Sequence, residues 1–496
     1  MSNSLKRRQL ILGAASLAGG AALVAGPAEA RAERDIRKWD HVVDVVVIGL
    51  GVAGGAAAYE AAKAGAKVVV LDRGSAAINE SHGNDIYLGG GTPTQKAYGV
   101  EDTLEEMEKL LLATQAPGPD RERIRYYVEH SLSHYDWLKS IGVELSLDPA
   151  EERLIYSGGE DVYPCTEMAK PAMRGHMHVS GPSGMAIQRL LTEHLRQASV
   201  PLLLAASAQQ LVRASDGRIV GVVALVDGKT QSFRAKRGVI LATGGFSLNR
   251  EMVALHAPLY EQATPIDVSS NDGWGIRAGQ AIGAGVKRLD GIPCFYPLPR
   301  FAGILVNSNG QRFIAEESYY GVLGYRIVRE QGGVAHLIVD ADMVGEHAAE
   351  SRGHGSIDTK KTAAKADTIA ELEKMLNIPE TGLQQTVTTY NEFAAKGQDP
   401  FFHKAQTYLK PIAKPPFHAV KASIGQTTFA HYTLGGLHTN AKTEVLDPGN
   451  NPIPGFYAVG RTAAGILNFR FYLSGLSLGE GTLFGRVAGQ ALARAS

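Results

Sequence analysis

The chain has 496 residues, of which 44% are hydrophobic and 20% charged, so it can bury one large core or two smaller ones. Its 50 basic residues balance 50 acidic ones, which argues against nucleic acid or an acidic polymer as a partner. Its only cysteines, Cys165 and Cys294, cannot build a disulfide framework or a cysteine-rich metal site.

The first 32 residues have the layout of a signal peptide. A basic start with Arg7 and Arg8 precedes a weakly apolar run over residues 10–26 and an Ala-x-Ala pattern at residues 28–30. Because the run is short and rich in Gly and Ala, we expect a secretory leader and no transmembrane span in the mature protein. The Arg pair resembles a twin-arginine signal, which predicts export to the periplasm. A disordered basic leader on a cytoplasmic protein is the alternative.

Residues 43–74 predict a strand, a turn, a helix and a second strand. An unbroken apolar run, typical of a parallel strand covered on both faces, leads into Gly49, Gly51 and Gly54. This G-x-G-x-x-G spacing allows a tight turn, close approach of a pyrophosphate and close packing of the helix. Asp72 ends the second strand, where it can accept a hydrogen bond from a ribose hydroxyl. The pattern therefore predicts a dinucleotide-binding fold with phosphates at the start of the helix.

Residues 83–96 contain three consecutive glycines before Thr92, which predicts irregular backbone close to a ligand. Residues 101–142 resemble two helices interrupted by a Pro- and Gly-containing stretch. Residues 202–233 alternate short β-like runs with Asp-Gly turns, so we expect a β-meander packed on the nucleotide domain.

Two later segments repeat the transition from an apolar strand to glycine. Residues 237–246 end in Gly244 and Gly245, and residues 455–466 contain Gly460. Segments near three distant parts of the chain would then bind one extended cofactor, as in two-domain flavoproteins. An NAD dehydrogenase usually completes its nucleotide site within one compact domain, so we expect FAD rather than NAD.

From about Asp290 to Pro416 few strands are visible, and the helical stretches ADTIAELEKML and LQQTVTTYNEFAAK appear. We expect an α/β fold with a Rossmann-like FAD-binding domain and an inserted α+β catalytic, or capping, domain. The predicted boundaries are 1–32 for the leader, 41–290 and 417–496 for the FAD-binding domain, and 291–416 for the insertion.

From residue 43 onward, several motifs resemble in their order the FAD-dependent fumarate reductase and 3-ketosteroid dehydrogenase superfamily. They are NSNGQRFIAEES from Asn307, TLGGLHTN from Thr433, IPGFYAVGR from Ile453 and SGLSLGEGTLFGRVAG from Ser474. The resemblance implies that the isoalloxazine lies between the two domains. We expect the FAD site to comprise Gly49, Gly51, Gly54, Asp72, Arg73, Gly90, Gly91, Thr92, Ala242, Gly244, Asp272, Gly460, Arg461, Ser477 and Leu478.

Residue chemistry has to decide between the substrates of this superfamily. Fumarate reductases supply an arginine where this chain has Tyr472, and a histidine pair where it has His431 and Tyr432. Their proton-donating arginine falls near Met343 and Val344. A buried carboxylate needs cationic partners, so these replacements favour a flat, apolar ketone over a dicarboxylate. The segments GGGTPTQKAYGVEDT and FYLSGLSLGEGTLFG resemble the 3-ketosteroid 4-dehydrogenases more than the 1-dehydrogenases.

The resemblance implies dehydrogenation across C4 and C5 of a steroid A-ring. The proton leaves C4, the hydride passes from C5 to flavin N5, and the electrons go on to a quinone or another acceptor. We assign Tyr472 with Ser474 to proton abstraction and Tyr319 to polarising the ketone or relaying the proton, and the opposite division is also compatible with the sequence. Tyr432 fits either a pocket wall or a catalytic helper, and Arg470 fits a solvent-exposed position.

Three alternatives stay open. The chain could be an exported flavin-dependent fumarate or enoate reductase, a 3-ketosteroid 1-dehydrogenase, or a non-catalytic flavin-binding electron relay. No metal is expected, since His176 and His178 have metal-like spacing but no acidic or cysteine partner nearby.

Overall fold

The computed structural model describes residues 29–75, 83–115, 118–147, 172–267, 271–295, 303–346, 362–427 and 429–495. The strands are β1 Glu29–Ala32, β2 His41–Ile48, β3 Val68–Leu71, β4 Asp85–Tyr87, β5 Leu145–Leu147, β6 Gly175–His178, β7 Leu202–Leu203, β8 Ser207–Arg213, β9 Ile219–Val226, β10 Lys229–Leu241, β11 Thr264–Pro265, β12 Val286–Lys287, β13 Cys294–Phe295, β14 Ile304–Val306, β15 His336–Val339, β16 Thr362–Ala366, β17 Phe417–Lys421, β18 Ala430–His431, β19 Gly436–Leu437, β20 Glu444–Leu446 and β21 Pro452–Ala458. The α-helices are α1 Val52–Lys63, α2 Pro93–Ala97, α3 Leu104–Thr114, α4 Arg121–Glu129, α5 Ser131–Ser140, α6 Ser183–Gln197, α7 Arg250–His256, α8 Trp274–Ala281, α9 Tyr320–Tyr325, α10 Ala341–Glu346, α11 Ile369–Met375, α12 Gly382–Ala394 and α13 Leu476–Arg494.

A nine-stranded sheet forms the centre of the FAD-binding part. Its main path runs β1-β8-β9-β10-β2-β3-β7, β21 joins β10, and β20 pairs with β21. Strands β10, β2, β3 and β7 are parallel and their core-facing residues are apolar, as expected of strands covered on both faces. The predicted α/β fold is confirmed.

Strand β10 belongs to two parts of this sheet. Its first half pairs antiparallel with β9, while its second half pairs parallel with β2 and β21. The predicted β-meander is therefore present as β8, β9 and β10. The prediction that this meander packs on the nucleotide domain as a separate layer is wrong, because its strands belong to the same sheet as β2 and β3.

Helices α1 and α13 pack closely against one another because small residues line their contact. A side chain added at Gly485 would overlap the carbonyl oxygen of Ala53, and one added at Gly489 would overlap that of Ala57. This approach, possible only for glycine, brings the N-termini of both helices to the same end of the central sheet.

The inserted segment has its own antiparallel sheet in the order β14-β15-β17-β16. Strand β17 pairs with β15 and β16, so the sheet extends to Lys421, beyond the predicted boundary at residue 416. A smaller sheet, β11-β18-β13, joins strands from both sides of that boundary.

Three local expectations also change. Residues 101–142 form three helices, α3 to α5, rather than two. Residues 83–96 are more regular than predicted, since they hold β4 and most of α2, with Thr92 capping that helix. The leader prediction falls largely outside the described residues, but Glu29–Ala32 form edge strand β1, parallel to β8. Within the described part of the chain, no helix combines the length and apolar character needed to span a bilayer.

Candidate active site

A cavity of about 460 Å³ opens where the parallel strands meet the N-termini of α1 and α13. Its walls come from segments that are distant in sequence. They are residues 48–53, 71–73, 83–85, 206–208, 242–244, 266–267, 271–272, 274, 432, 460–461, 472, 474–475, 477–478 and 481. This length and shape suit an extended ligand.

The glycines at one end of the cavity leave no space for side chains. Gly49 has a φ of +105°, and a Cβ on it would overlap the carbonyl oxygen of Ala242. Gly54 lies behind it, where a Cβ would overlap the Gly49 carbonyl. Helix α1 begins after Gly51, which provides no side-chain cap, and the positive end of a helix dipole favours a phosphate at this position.

Carboxylates and one arginine follow at the same end. Asp72 accepts hydrogen bonds from the N–H groups of Leu50, at 2.6 Å, and Gly74, at 2.7 Å. Burial raises the pKa of the Asp72 carboxyl, and these two N–H groups oppose the rise. Arg73 and Asp272 form an ion pair at 2.7 Å. The glycine cradle and the Asp72 carboxylate fit the ADP half of FAD.

The start of helix α13 forms the opposite wall. Its N-cap, Gly475, has a φ of +80° and no side-chain cap. A Cβ there would lie 2.6 Å from the backbone nitrogen of Tyr87 in β4, so only glycine allows this approach. Ser477 and Leu478, both predicted to contact FAD, line the cavity from the first turn of α13.

Aromatic side chains surround the cavity beside this helix start. Tyr472 and Tyr432 line it, with ring centroids 5.8 Å apart and planes at 79°. The Tyr319 ring lies 6.5 Å from that of Tyr472 and is nearly parallel to it. The Phe471 ring stacks on that of Tyr319, with the ring centroids 5.9 Å apart.

Ser474 connects this aromatic group to strand β4. Its backbone N–H donates to the Tyr319 hydroxyl oxygen at 3.2 Å, and its own hydroxyl donates to Asp85 Oδ1 at 2.9 Å. A phenol oxygen that accepts an N–H bond keeps its own proton to donate, and the same bond stabilises the ionised phenolate. The three predicted catalytic side chains, Tyr472, Ser474 and Tyr319, are thus brought together.

Arg461 also lines the cavity. It forms an ion pair with Asp267, which also accepts a hydrogen bond from Ser247. Its guanidinium lies over the ring of Tyr432, 4.7 Å from the centroid. Burial disfavours the charge, but Asp267 outweighs this effect and raises the pKa of Arg461.

Most predicted site residues line the cavity, but five do not. The lining residues are Gly49, Gly51, Asp72, Arg73, Ala242, Gly244, Asp272, Gly460, Arg461, Tyr472, Ser474, Ser477 and Leu478. Gly54 and Tyr319 lie directly behind this wall.

The other three, Gly90, Gly91 and Thr92, are engaged within their own loop. The Gly90 N–H donates to Asp102, at 2.8 Å, and the Gly91 N–H to Gln95, at 3.1 Å. Thr92 caps α2, and its hydroxyl also hydrogen-bonds the ring of His176 at 2.9 Å. Their contact with the cofactor stays a prediction.

Sequence reasoning missed several polar residues on the cavity wall. Asn84 and Asp85 lie in a segment that was interpreted from its glycines alone. Asp267 and Asn271 belong to no recognisable sequence motif. The signal available for the first two was their position immediately before an apolar run, Ile86 onward, next to a glycine.

Comparison with known proteins agrees with this geometry. The family model described as FAD binding domain matches residues 44–478. A solved structure of a 3-ketosteroid-delta4-(5alpha)-dehydrogenase from Rhodococcus jostii RHA1, in complex with 4-androstene-3,17-dione, shares 36% sequence identity with a TM-score of 0.85. The match covers 94% of this chain and 100% of that one.

Two curated relatives show the breadth of the superfamily. The 3-oxo-5-alpha-steroid 4-dehydrogenase of Comamonas testosteroni is 26% identical over 499 residues, covering 85% of this chain and 93% of the relative. The fumarate reductase (cytochrome) of Shewanella frigidimarina is 26% identical over 474 residues, covering 92% of this chain and 77% of the relative. The chain therefore belongs to the FAD binding domain family, as a FAD-dependent oxidoreductase of the superfamily that includes fumarate reductases and 3-ketosteroid dehydrogenases.

Proposed function

We propose that the protein dehydrogenates a 3-ketosteroid across C4 and C5 of its A-ring. The observation that carries the proposal is the group of phenols, Tyr472, Tyr432 and Tyr319, beside the start of α13 in the FAD cavity. The similarity to the Rhodococcus 3-ketosteroid-delta4-(5alpha)-dehydrogenase, whose structure holds a steroid ketone, supports the same substrate class.

The charges around the cavity argue against a dicarboxylate. Among the described residues, the arginines that line the cavity are Arg73 and Arg461, and each forms an ion pair with an aspartate. A substrate carboxylate would have to displace one of these partners or remain unpaired, which costs several kcal/mol in a buried site. A neutral ketone needs only hydrogen-bond donors.

The phenols suit the chemistry of a ketone. As the C4 proton leaves, negative charge develops on the C3 oxygen, and a hydroxyl donor aimed at that oxygen stabilises it. Tyr472, which lines the cavity, is our candidate for this donor. The Tyr319 ring packs beside it, and the Tyr319 hydroxyl accepts a hydrogen bond from the Ser474 backbone N–H. When bound, FAD supplies the acceptor for the C5 hydride.

The test uses purified, FAD-loaded protein with a saturated 3-ketosteroid and an artificial electron acceptor. We expect bleaching of the flavin absorbance and formation of a 4-en-3-one, which mass spectrometry and NMR distinguish from a 1-en-3-one. Succinate should not bleach the flavin. Oxidation of the reduced enzyme by fumarate or urocanate, without reduction by the steroid, would instead establish an enoate reductase.

We propose a quinone as the electron acceptor, since the two electrons stored on the flavin must leave before the next turnover. Reoxidation of steroid-reduced enzyme by a soluble ubiquinone or menaquinone analogue, followed by stopped-flow absorbance, tests this choice. Reoxidation by oxygen alone, with no quinone dependence, would contradict it.

A further inference from the structure

Asp85 lines the cavity at the end beside Tyr472, Tyr432 and Ser474, which we call the reactive end. The roles proposed above for the tyrosines do not include this carboxylate. It begins strand β4, is only 7% exposed and lines the cavity. Its Oδ1 accepts the hydroxyl proton of Ser474 at 2.9 Å, across 389 residues of sequence. Because an ionised carboxylate only accepts hydrogen bonds, the Ser474 proton points to Asp85 and a Ser474 lone pair can receive another proton.

The other cavity carboxylates are engaged differently. Asp267 and Asp272 form ion pairs with Arg461 and Arg73. Asp72 lies at the dinucleotide end and accepts two backbone N–H bonds. Among the carboxylates described on the cavity wall, Asp85 is the one joined to a hydroxyl beside Tyr472.

We propose that Asp85 is the terminal acceptor of the substrate C4 proton, which reaches it through the hydroxyl of Ser474. This inference rests on the proposed function and assigns its base. A tyrosine phenol is protonated at neutral pH, since its ordinary pKa is about 10, whereas a carboxylate with an ordinary pKa of about 4 is ionised. Carboxylate bases combined with phenol donors are an established way to enolise a ketone.

The atoms and electrons balance without a further reactant. The C4–H bond breaks, its proton bonds to Ser474 Oγ, and the original Ser474 proton moves to Asp85 Oδ1. The electron pair left at C4 becomes the C4–C5 double bond as the C5 hydride passes to the bound FAD. Asp85 ends neutral, Ser474 keeps one proton, and the ketone is restored. Tyr472 and Tyr319 then act as donors rather than as the base.

The Asp85→Asn variant tests this role because an amide oxygen can still accept the Ser474 hydrogen bond but is a very weak base. We expect FAD content and steroid affinity within about twofold of wild type. Flavin reduction by the saturated ketosteroid should slow at least about 100-fold, the usual contribution of a general base. The isotope effect with C4-deuterated substrate should rise, because proton abstraction becomes rate-limiting. Asp85→Glu should recover part of the rate.

Ser474→Ala and the double variant supply an independent measurement. If Asp85 acts through Ser474, Ser474→Ala alone should stop exchange of the C4 hydrogens with D₂O, and the double variant should be no slower than the slower single variant. Asp216→Asn, at an exposed turn, serves as the control. If Asp85→Asn fails to fold, the C4 exchange rate of Asp85→Glu decides the question, because a displaced carboxylate should slow the exchange and a wild-type rate would overturn the role of Asp85.

Wild-type flavin reduction or C4 exchange rates in these variants, or additive losses, would overturn the role of Asp85. A loss confined to FAD content or steroid affinity, with a normal rate in the loaded enzyme, would also overturn it. Wild-type protein that is not reduced by any saturated 3-ketosteroid would instead refute the proposed function, so the two failures are distinguishable.

Discussion

Tyr472 and Tyr432 fix one another at the reactive end of the cavity. Their rings meet edge to face, and the guanidinium of Arg461 covers the outer face of Tyr432. Edge-to-face aromatic contacts and cation–π contacts each restrict ring orientation and contribute about 0.5–1.5 kcal/mol. Packing therefore restrains the Tyr472 ring, so we expect the ring to keep its position when the hydroxyl is removed.

Tyr472→Phe should keep the fold and the flavin but lose turnover. We expect kcat to fall about 100-fold, since a lost oxyanion donor or proton-transfer group costs this much. The measurement is steroid-dependent flavin reduction, normalised to FAD content. Arg470→Gln is the matched control two residues away, because Arg470 is exposed. Equal rates in the Tyr472→Phe variant and in wild type would refute the role of this phenol.

The site residues that could be predicted are those whose contacts are close in sequence. Gly49, Gly51 and Asp72 belong to one local unit, and their spacing alone predicts where they lie. Asp85 was missed because its partner, Ser474, is 389 residues away, and no local pattern reports such a bond. The three glycines before Thr92 predicted backbone close to a ligand, but they did not predict that the Thr92 side chain caps α2.

At the scale of elements, the start of α13 sets the shape of the reactive end. Its N-cap must be glycine for two separate reasons, the left-handed φ of Gly475 and the close approach to Tyr87. The sequence predicted glycine-rich backbone close to the flavin here. It could not predict the opposite partner, because strand β4 is only three residues long and its register with β6 depends on tertiary packing.

Gly475→Ala should therefore be far more harmful than a matched glycine substitution. Gly65 also has a positive φ, +86°, but no atom lies within 4 Å of an added Cβ. Gly65→Ala should cost about 1–2 kcal/mol from backbone strain alone. Gly475→Ala adds a collision with Tyr87 and should also release FAD. Thermal unfolding and flavin content after gel filtration measure both effects, and similar losses in the two variants would contradict the argument.

At the scale of the whole molecule, a buried ionic network supports the inserted segment. Glu316 is fully buried and bridges Arg312, at 3.0 Å, and Lys404, at 3.1 Å. Arg312 also pairs with Asp399. Glu316 lies three residues before Tyr319 in sequence, so the network restrains the turn that carries this tyrosine to the site.

Glu316→Gln should destabilise the protein by about 3–5 kcal/mol, because it leaves two buried cations without their shared partner. Asp342→Asn, in an exposed pair with Lys414, should change stability by less than about 1 kcal/mol. Denaturant unfolding of the two variants measures the difference.

The same pair of variants has an expected pH dependence. Burial raises the pKa of Glu316, but the charges of Arg312 and Lys404 outweigh it and hold the pKa below its ordinary value. The stabilisation is therefore complete above the unfolded pKa, about 4.3, and is lost as pH falls through the folded value. The gap between wild type and Glu316→Gln should shrink below about pH 4. A constant gap would contradict the assignment.

We also propose that the full-length chain is exported through its twin-arginine-like leader. Replacing Arg7 and Arg8 together by lysine should retain the protein in the cytoplasm of an expressing bacterium, since the transport system reads the arginine pair. Cell fractionation and immunoblotting measure the distribution. An unchanged distribution would favour a cytoplasmic protein with a basic leader.

The pairing of strand β10 has a consequence for the order in which the molecule is made. Val239 pairs with Val46 on one side and with Phe456 on the other. Helix α1 packs against α13 through Gly485 and Gly489, which come later still in the sequence. A chain emerging from the ribosome therefore holds an incomplete sheet and an uncovered face of α1 until residues 456–489 are synthesised. Such non-local pairing slows folding and leaves apolar surface open to chaperones. We expect FAD to be retained only after the cavity-lining residues at the start of α13 have been synthesised.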